Sequence, residues 1–153
     1  MARMIRDVVA LLNRLIQLDY DCIEAYKAAI ARVADPDDRK QLSALLADHR
    51  RHVDDLAFVV RNLGGEPAAH GDLRQVLTKG KVVLGGLTGD HAVLEAMRSN
   101  EADVSAAYEQ AVSQPGIPVD VLKVLERNRD DERNHQHWLA GRLAAGQPVE
   151  RGA

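Results

Sequence analysis

Apolar side chains recur at alternating three- and four-residue steps along four long stretches of the chain, the period of a helix with one buried face. The first stretch, residues 4–34, carries Ile5, Val9, Leu12, Ile16, Asp19, Ile23, Tyr26, Ile30 and Val33 on its stripe. It stops at Asp35-Pro36, where proline suits the first turn of a new helix because the N–H it lacks has no partner there anyway. The second stretch, 36–62, carries Leu42, Leu45, His49, His52, Leu56 and Val59, with Leu63 continuing the stripe just past its end, and stops at Gly64-Gly65. The third starts near Asp90, carries Leu94, Met97, Glu101, Val104, Tyr108 and Ala111, and ends before Gln114-Pro115-Gly116. The fourth, 118–145, carries Val121, Leu125, Asn128, Glu132, His135, Leu139 and Leu143.

The connections set the topology. A few residues join the first helix to the second and the third to the fourth, so each pair is an antiparallel hairpin. Residues 63–89 separate the two hairpins, far more than a bundle turn needs. Within them Leu73, Val76 and Leu77 predict a short helix that breaks at Gly80. The expected architecture is an all-α four-helix bundle made of two antiparallel hairpins joined by a long crossover. It spans 1–145 as a single domain, with 146–153 as a flexible C-terminal tail.

Composition narrows the class of function. Aromatic residues are 3% of the chain, which disfavours a sheet-rich core. No basic stripe interleaved with aromatics is present, so nucleic acid is not an expected partner. No apolar run approaches the roughly 18 residues of a membrane span. Asp7, Asn13 and Arg14 interrupt the N-terminal apolar run, so it does not read as a signal peptide. Cys22 is the single cysteine, which excludes an internal disulfide and fits a reducing, cytoplasmic setting. Gly80-Lys81-Val82 lacks both the upstream glycine spacing and the Ser/Thr of a phosphate loop.

The candidate chemistry lies where each stripe breaks. All four are apolar at both ends and polar or ionisable in the middle: Asp19, then His49 and His52, then Glu101, then Glu132 and His135. Counted from their turns at 1.5 Å per residue, the six fall within roughly one or two helical turns of one level. Buried charges cost several kcal/mol when unpaired, so the six need partners. Carboxylates and imidazoles on facing helices make an oxygen–nitrogen pocket for one or two transition metal ions, with iron, manganese or zinc the suitable choices. Glu132-Arg133-Asn134-His135 places two such groups at i and i+3 on one face. Mutual neutralisation in a metal-free, hydrogen-bonded network is the alternative. Tyr26, Tyr108 and Asn128 lie beside the six and are expected to orient them or to serve as core residues with satisfied polar tips. Asp48 points about 100° away from His49 and is not expected to ligate. The charge runs 48–55 and 127–133 otherwise read as solvated faces, and His70, His91 and His137 as surface residues.

At these residues the chain resembles the ferritin-like superfamily, close to rubrerythrin-type bundles, over about residues 4–145. The resemblance implies a carboxylate from the first helix of each hairpin, a Glu-x-x-His pair from the second, and a tyrosine seven residues after the first carboxylate. Glu101, Tyr108, Glu132 and His135 match in full, while Asp19, Tyr26, His49 and His52 match in outline. His49 stands where the resemblance implies a metal-bridging glutamate, and Asp19 is one methylene shorter than the implied glutamate. The pocket thus has three carboxylates and three imidazoles in place of four and two. That shift favours an asymmetric or single-metal site and moves preference toward zinc. Two functions follow as expectations. One is a metal-binding protein that handles iron or peroxide; the other is a non-enzymatic interaction or stress module with a metal-free polar core. A homodimer is the default assembly.

Overall fold

The computed structural model of the chain describes residues 1–72 and 86–146. Four helices build it: α1 (Ala2–Arg32), α2 (Pro36–Asn62), α3 (Asp90–Val112) and α4 (Val119–Ala145). Each boundary lies within two residues of the one expected from periodicity. The predicted short helix around Leu73, Val76 and Leu77 lies outside the described residues, as does the expected tail beyond Gly146.

Local chemistry explains where the helices start and stop. The Asp35 side chain caps α2 by accepting from the N–H groups of Asp37 and Asp38 at 2.9 and 3.0 Å, with Pro36 in the first turn. After α2, Gly64 takes φ +80°, and between α3 and α4 Gly116 takes φ +81°. Both are left-handed conformations that a Cβ would strain.

Three contacts orient the helices. The Asp90 carboxylate at the start of α3 accepts from the N–H groups of Ala34 and Asp35, at 2.8 and 3.0 Å. Arg142 near the end of α4 meets Asp38 at the start of α2, at 2.7 Å. Asn13, early in α1, donates to the Glu66 carbonyl and accepts from Ala68 N–H just beyond α2. The end of α1, the start of α2, the start of α3 and the end of α4 therefore share one end of the bundle. Helix α1 packs on α2 and α3, and α4 packs on α3 and α2, so every neighbouring pair is antiparallel. This is the ferritin-like bundle with its crossover between the second and third helices.

By their register along the helices, the buried apolar residues form two tiers with the polar level between them. One tier holds Leu12, Leu56, Val60, Ala111, Val121 and Leu125; the other holds Ala29, Leu42, Leu94, Met97, Leu139 and Leu143. The expected stripes of α3 and α4 are buried without exception. In α1 the buried face is wider than one stripe and takes in Val8, Leu15, Cys22 and Ala25.

Truncating a tier residue should be felt across the bundle. Leu125, with 0% exposure, is expected to cost about 2–5 kcal/mol as Leu125→Ala. Phe58, 63% exposed, should cost less than about 0.5 kcal/mol as Phe58→Ser. Urea denaturation of the two variants checks the contrast.

Candidate metal centre

Between the tiers the four helices bring Asp19, His49, His52, Glu101, Glu132 and His135 together, all at 0–1% exposure. They form two overlapping groups. Asp19, His49, His52 and Glu132 each offer an atom within 4.8 Å of the others, and so do His49, Glu101, Glu132 and His135. His49 and Glu132 belong to both.

The distances define two lobes. In one, His49 Nδ1 lies 2.7 Å and His52 Nδ1 3.3 Å from Asp19 Oδ1, and both nitrogens lie 3.5 Å from Glu132 Oε1. In the other, His49 Nε2 lies 2.8 Å and His135 Nδ1 3.3 Å from Glu101 Oε1, with His135 Nδ1 3.7 Å from Glu132 Oε2.

A surrounding layer obeys the pseudo-twofold relation of the two hairpins. Tyr108 of α3 donates to Asp19 Oδ2 at 2.5 Å, and Tyr26 of α1 donates to Glu101 Oε1. Each tyrosine thus serves the carboxylate of the other hairpin. The outer nitrogens of the histidines follow the same exchange: His52 Nε2 meets Asp131 Oδ2 and His135 Nε2 meets Asp48 Oδ2, both at 2.9 Å. These contacts hold both imidazoles with Nδ1 facing inward. Arg51 touches both Asp48 and Asp131 at the α2–α4 seam. Asn128 Nδ2 lies 3.5 Å from the Tyr108 hydroxyl, which links it to the centre.

Asp48 and Asp131 correct the expectation that their charge runs are merely solvated. Each is only partly exposed, and each anchors a central histidine of the opposite hairpin. Their signal was present as a repeat: Asp48-His49-Arg50-Arg51-His52 and Asp131-Glu132-Arg133-Asn134-His135 share the pattern Asp-x-Arg-x-His. His70, His91 and His137 are exposed, as expected, and Cys22 is buried beside the centre.

The electrostatics are those of crowded opposite charges. Burial works against every charge here, but for most groups the neighbours win. His52 is pushed up to about 10 by Asp131, Asp19 and Glu132, and His135 to about 9 by Glu101 and Glu132. His49 is raised well above its usual value, and Asp19 and Glu101 are held below theirs by the histidines. Glu132 is the exception: burial, with repulsion from Glu101, raises it despite His49. Burial and adjacent carboxylates keep both tyrosines protonated, so they remain donors.

One set of atoms tests whether a cation fits. Both oxygens of Glu132, Glu101 Oε2 and His135 Nδ1 are buried and have no hydrogen-bond partner among the described residues. All four are lone-pair donors or can become so, and a metal ion satisfies such atoms where a hydrogen-bond donor is lacking. The residues present fit a metal.

Comparisons with known proteins agree with this fold. A profile described as "Domain of unknown function (DUF2383)" matches residues 7–114. No curated protein matches the sequence. Among solved structures, one described as "ferritin like, diiron-carboxylate proteins" from Bacillus anthracis str. Ames superposes with a TM-score of 0.75 at 21% identity, over 94% of this chain and 99% of that one. A point mutant of Mycobacterium smegmatis Dps1 gives 0.81 at 15% identity, over 94% and 99%. A dodecameric thioferritin from Bacteroides fragilis, described as bacterioferritin-related, gives 0.78 at 14% identity, over 92% and 86%.

Metal-free protein should be alkali-sensitive. His52 and His135 bind protons more tightly folded than unfolded, where they titrate near 6.5. Their contribution is full below about 6.5 and is lost as pH rises through about 9 for His135 and about 10 for His52. The urea midpoint of chelator-treated protein is expected to fall between about pH 7 and 10. A flat or rising midpoint would contradict these protonation states.

Proposed function

The chain belongs to the family described as Domain of unknown function (DUF2383), a ferritin-like domain, and from that premise we propose that it binds one or two transition metal ions at the mid-bundle centre. Iron is the first candidate, and handling of ferrous iron or peroxide the activity that would follow from it. The observation that carries this reading is Glu132: a carboxylate with 0% exposure, between two lobes, both of whose oxygens lack a hydrogen-bond donor among the described residues.

Asp19, His49, His52, Glu101, Glu132 and His135 would hold the metal. Three carboxylates and three imidazoles suit iron, manganese or zinc. A bound ion would supply Lewis acidity and, for iron, redox chemistry. The chain's own residues do the rest. Tyr26 and Tyr108 orient Glu101 and Asp19 by hydrogen bonds, Asp48 and Asp131 fix His135 and His52 with Nδ1 inward, and the apolar tiers exclude water. The solved structure from Bacillus anthracis is described as diiron-carboxylate, which favours iron over zinc for a bundle of this build.

A metal-free core has one observation in its favour. The histidines pair closely with Asp19 and Glu101, and such pairs offset much of the cost of burial. It serves Glu132 less well, because that carboxylate lies 3.5 Å from two imidazoles without a directed hydrogen bond to either.

Protein purified without added metal is expected to carry iron, manganese or zinc by elemental analysis, and Glu132→Ala to lose it. Equal, negligible metal in both would end this reading. Adding ferrous iron or zinc to chelator-treated protein should raise the melting temperature, since a ligand of the native state alone stabilises it. Asp48→Asn and Asp131→Asn should each weaken metal affinity by ~10–100-fold in competition with a chromophoric chelator.

A further inference from the structure

His49 is placed unlike the other two histidines of the centre. It is wholly enclosed, and its two nitrogens face different lobes. Nδ1 lies 2.7 Å from Asp19 Oδ1 and 3.5 Å from Glu132 Oε1, on the side of His52. Nε2 lies 2.8 Å from Glu101 Oε1, on the side of His135. His52 and His135 differ from it, because each spends its outer nitrogen on an aspartate at the seam. Glu132 divides as His49 does, with Oε1 toward one lobe and Oε2 toward the other.

We propose that His49 is a bridging ligand between two divalent metal ions, bound through Nδ1 to the ion shared with Asp19, His52 and Glu132, and through Nε2 to the ion shared with Glu101, Glu132 and His135. This rests on the metal-binding reading and adds to it the number of ions and what links them. A ring bound at both nitrogens is an imidazolate. Each nitrogen gives one lone pair to its ion, both N–H protons that face Asp19 and Glu101 in the metal-free centre leave to solvent as the two bonds form, and no electrons are transferred.

Charge supplies an independent argument. Asp19, Glu101 and Glu132 are the three central carboxylates, one negative charge short of balancing two divalent ions. An imidazolate at His49 provides the missing charge at a position common to both lobes. Neutral imidazole would leave an uncompensated charge in a low-dielectric interior, which is unfavourable. Site geometry agrees, since one ion in either lobe would leave unpartnered atoms in the other: Glu101 Oε2 and His135 Nδ1 on one side, Glu132 Oε1 facing the other.

Copper(II) is the probe, because each ion carries one unpaired electron and an imidazolate bridge couples two of them. Full-length protein is titrated with copper(II) at neutral pH, bound copper is measured after dialysis, and the spin signal is integrated by electron paramagnetic resonance. The expected result is two bound ions per chain with most of their spin intensity lost. His49→Gln, which leaves Glu132 as the ligand shared by both ions, should weaken the coupling and recover spin intensity for whatever copper it binds. His49→Glu should hold two ions at the shorter separation of a carboxylate bridge, about 3.5–4 Å by X-ray absorption. Melting curves of both variants establish that they are folded. Two ions with full spin in the wild type, a single bound ion, or unchanged coupling in His49→Gln would each overturn the bridge and leave metal binding standing. No copper retained in the wild type would overturn both.

Discussion

Three carboxylates and three imidazoles share an interior that water does not reach, and that concentration of charge constrains the rest of the molecule. Each helix gives up one or two stripe positions at mid-height where an apolar side chain would have stabilised the bundle. The cost is tolerated because the groups oppose one another across the axis at hydrogen-bond distance and because an apolar tier lies on either side. The supporting layer is equally determined. Buried carboxylates receive tyrosine hydroxyls, and imidazoles receive aspartates, in each case from the opposite hairpin. Cross-hairpin contacts of this kind tie the two halves together at the level of the centre.

The two hairpins are alike in plan and unlike in detail. Asp19 answers Glu101, Tyr26 answers Tyr108, His52 answers His135, and Asp48 answers Asp131. The relation fails at His49 and Glu132, where one half places an imidazole and the other a carboxylate. Both residues are held in common by the two lobes. The asymmetry therefore sits on the shared edge of the centre, where it changes what two ions would have between them and leaves the outer ligands nearly equivalent.

Much of this was legible in the sequence because helical periodicity is strict. A stripe that is apolar except at Asp19, or at Glu101, announces both the helix and the exception. The level at which the exceptions meet follows from counting residues to a turn. Asp48 and Asp131 were harder to read, since one residue's offset turns a side chain about 100° around the helix and away from the centre. Their partners are on another helix, across the α2–α4 seam, and no spacing within one helix reveals such a contact. The repeated Asp-x-Arg-x-His pattern was the available signal. Asn128 shows the opposite limit: its place on the stripe was clear, but only the three-dimensional packing shows that it acts on the centre through Tyr108.

The central claim is that these groups converge because a cation belongs among them. An anomalous-difference map from crystals of the protein as purified, collected at the absorption edges of iron, manganese and zinc, addresses it most directly. The account predicts density enclosed by Asp19, His49, His52, Glu101, Glu132 and His135. A map featureless at that level, with His49 and His52 hydrogen-bonded to Asp19 and Glu101 in a fully satisfied ring that includes Glu132, would contradict it.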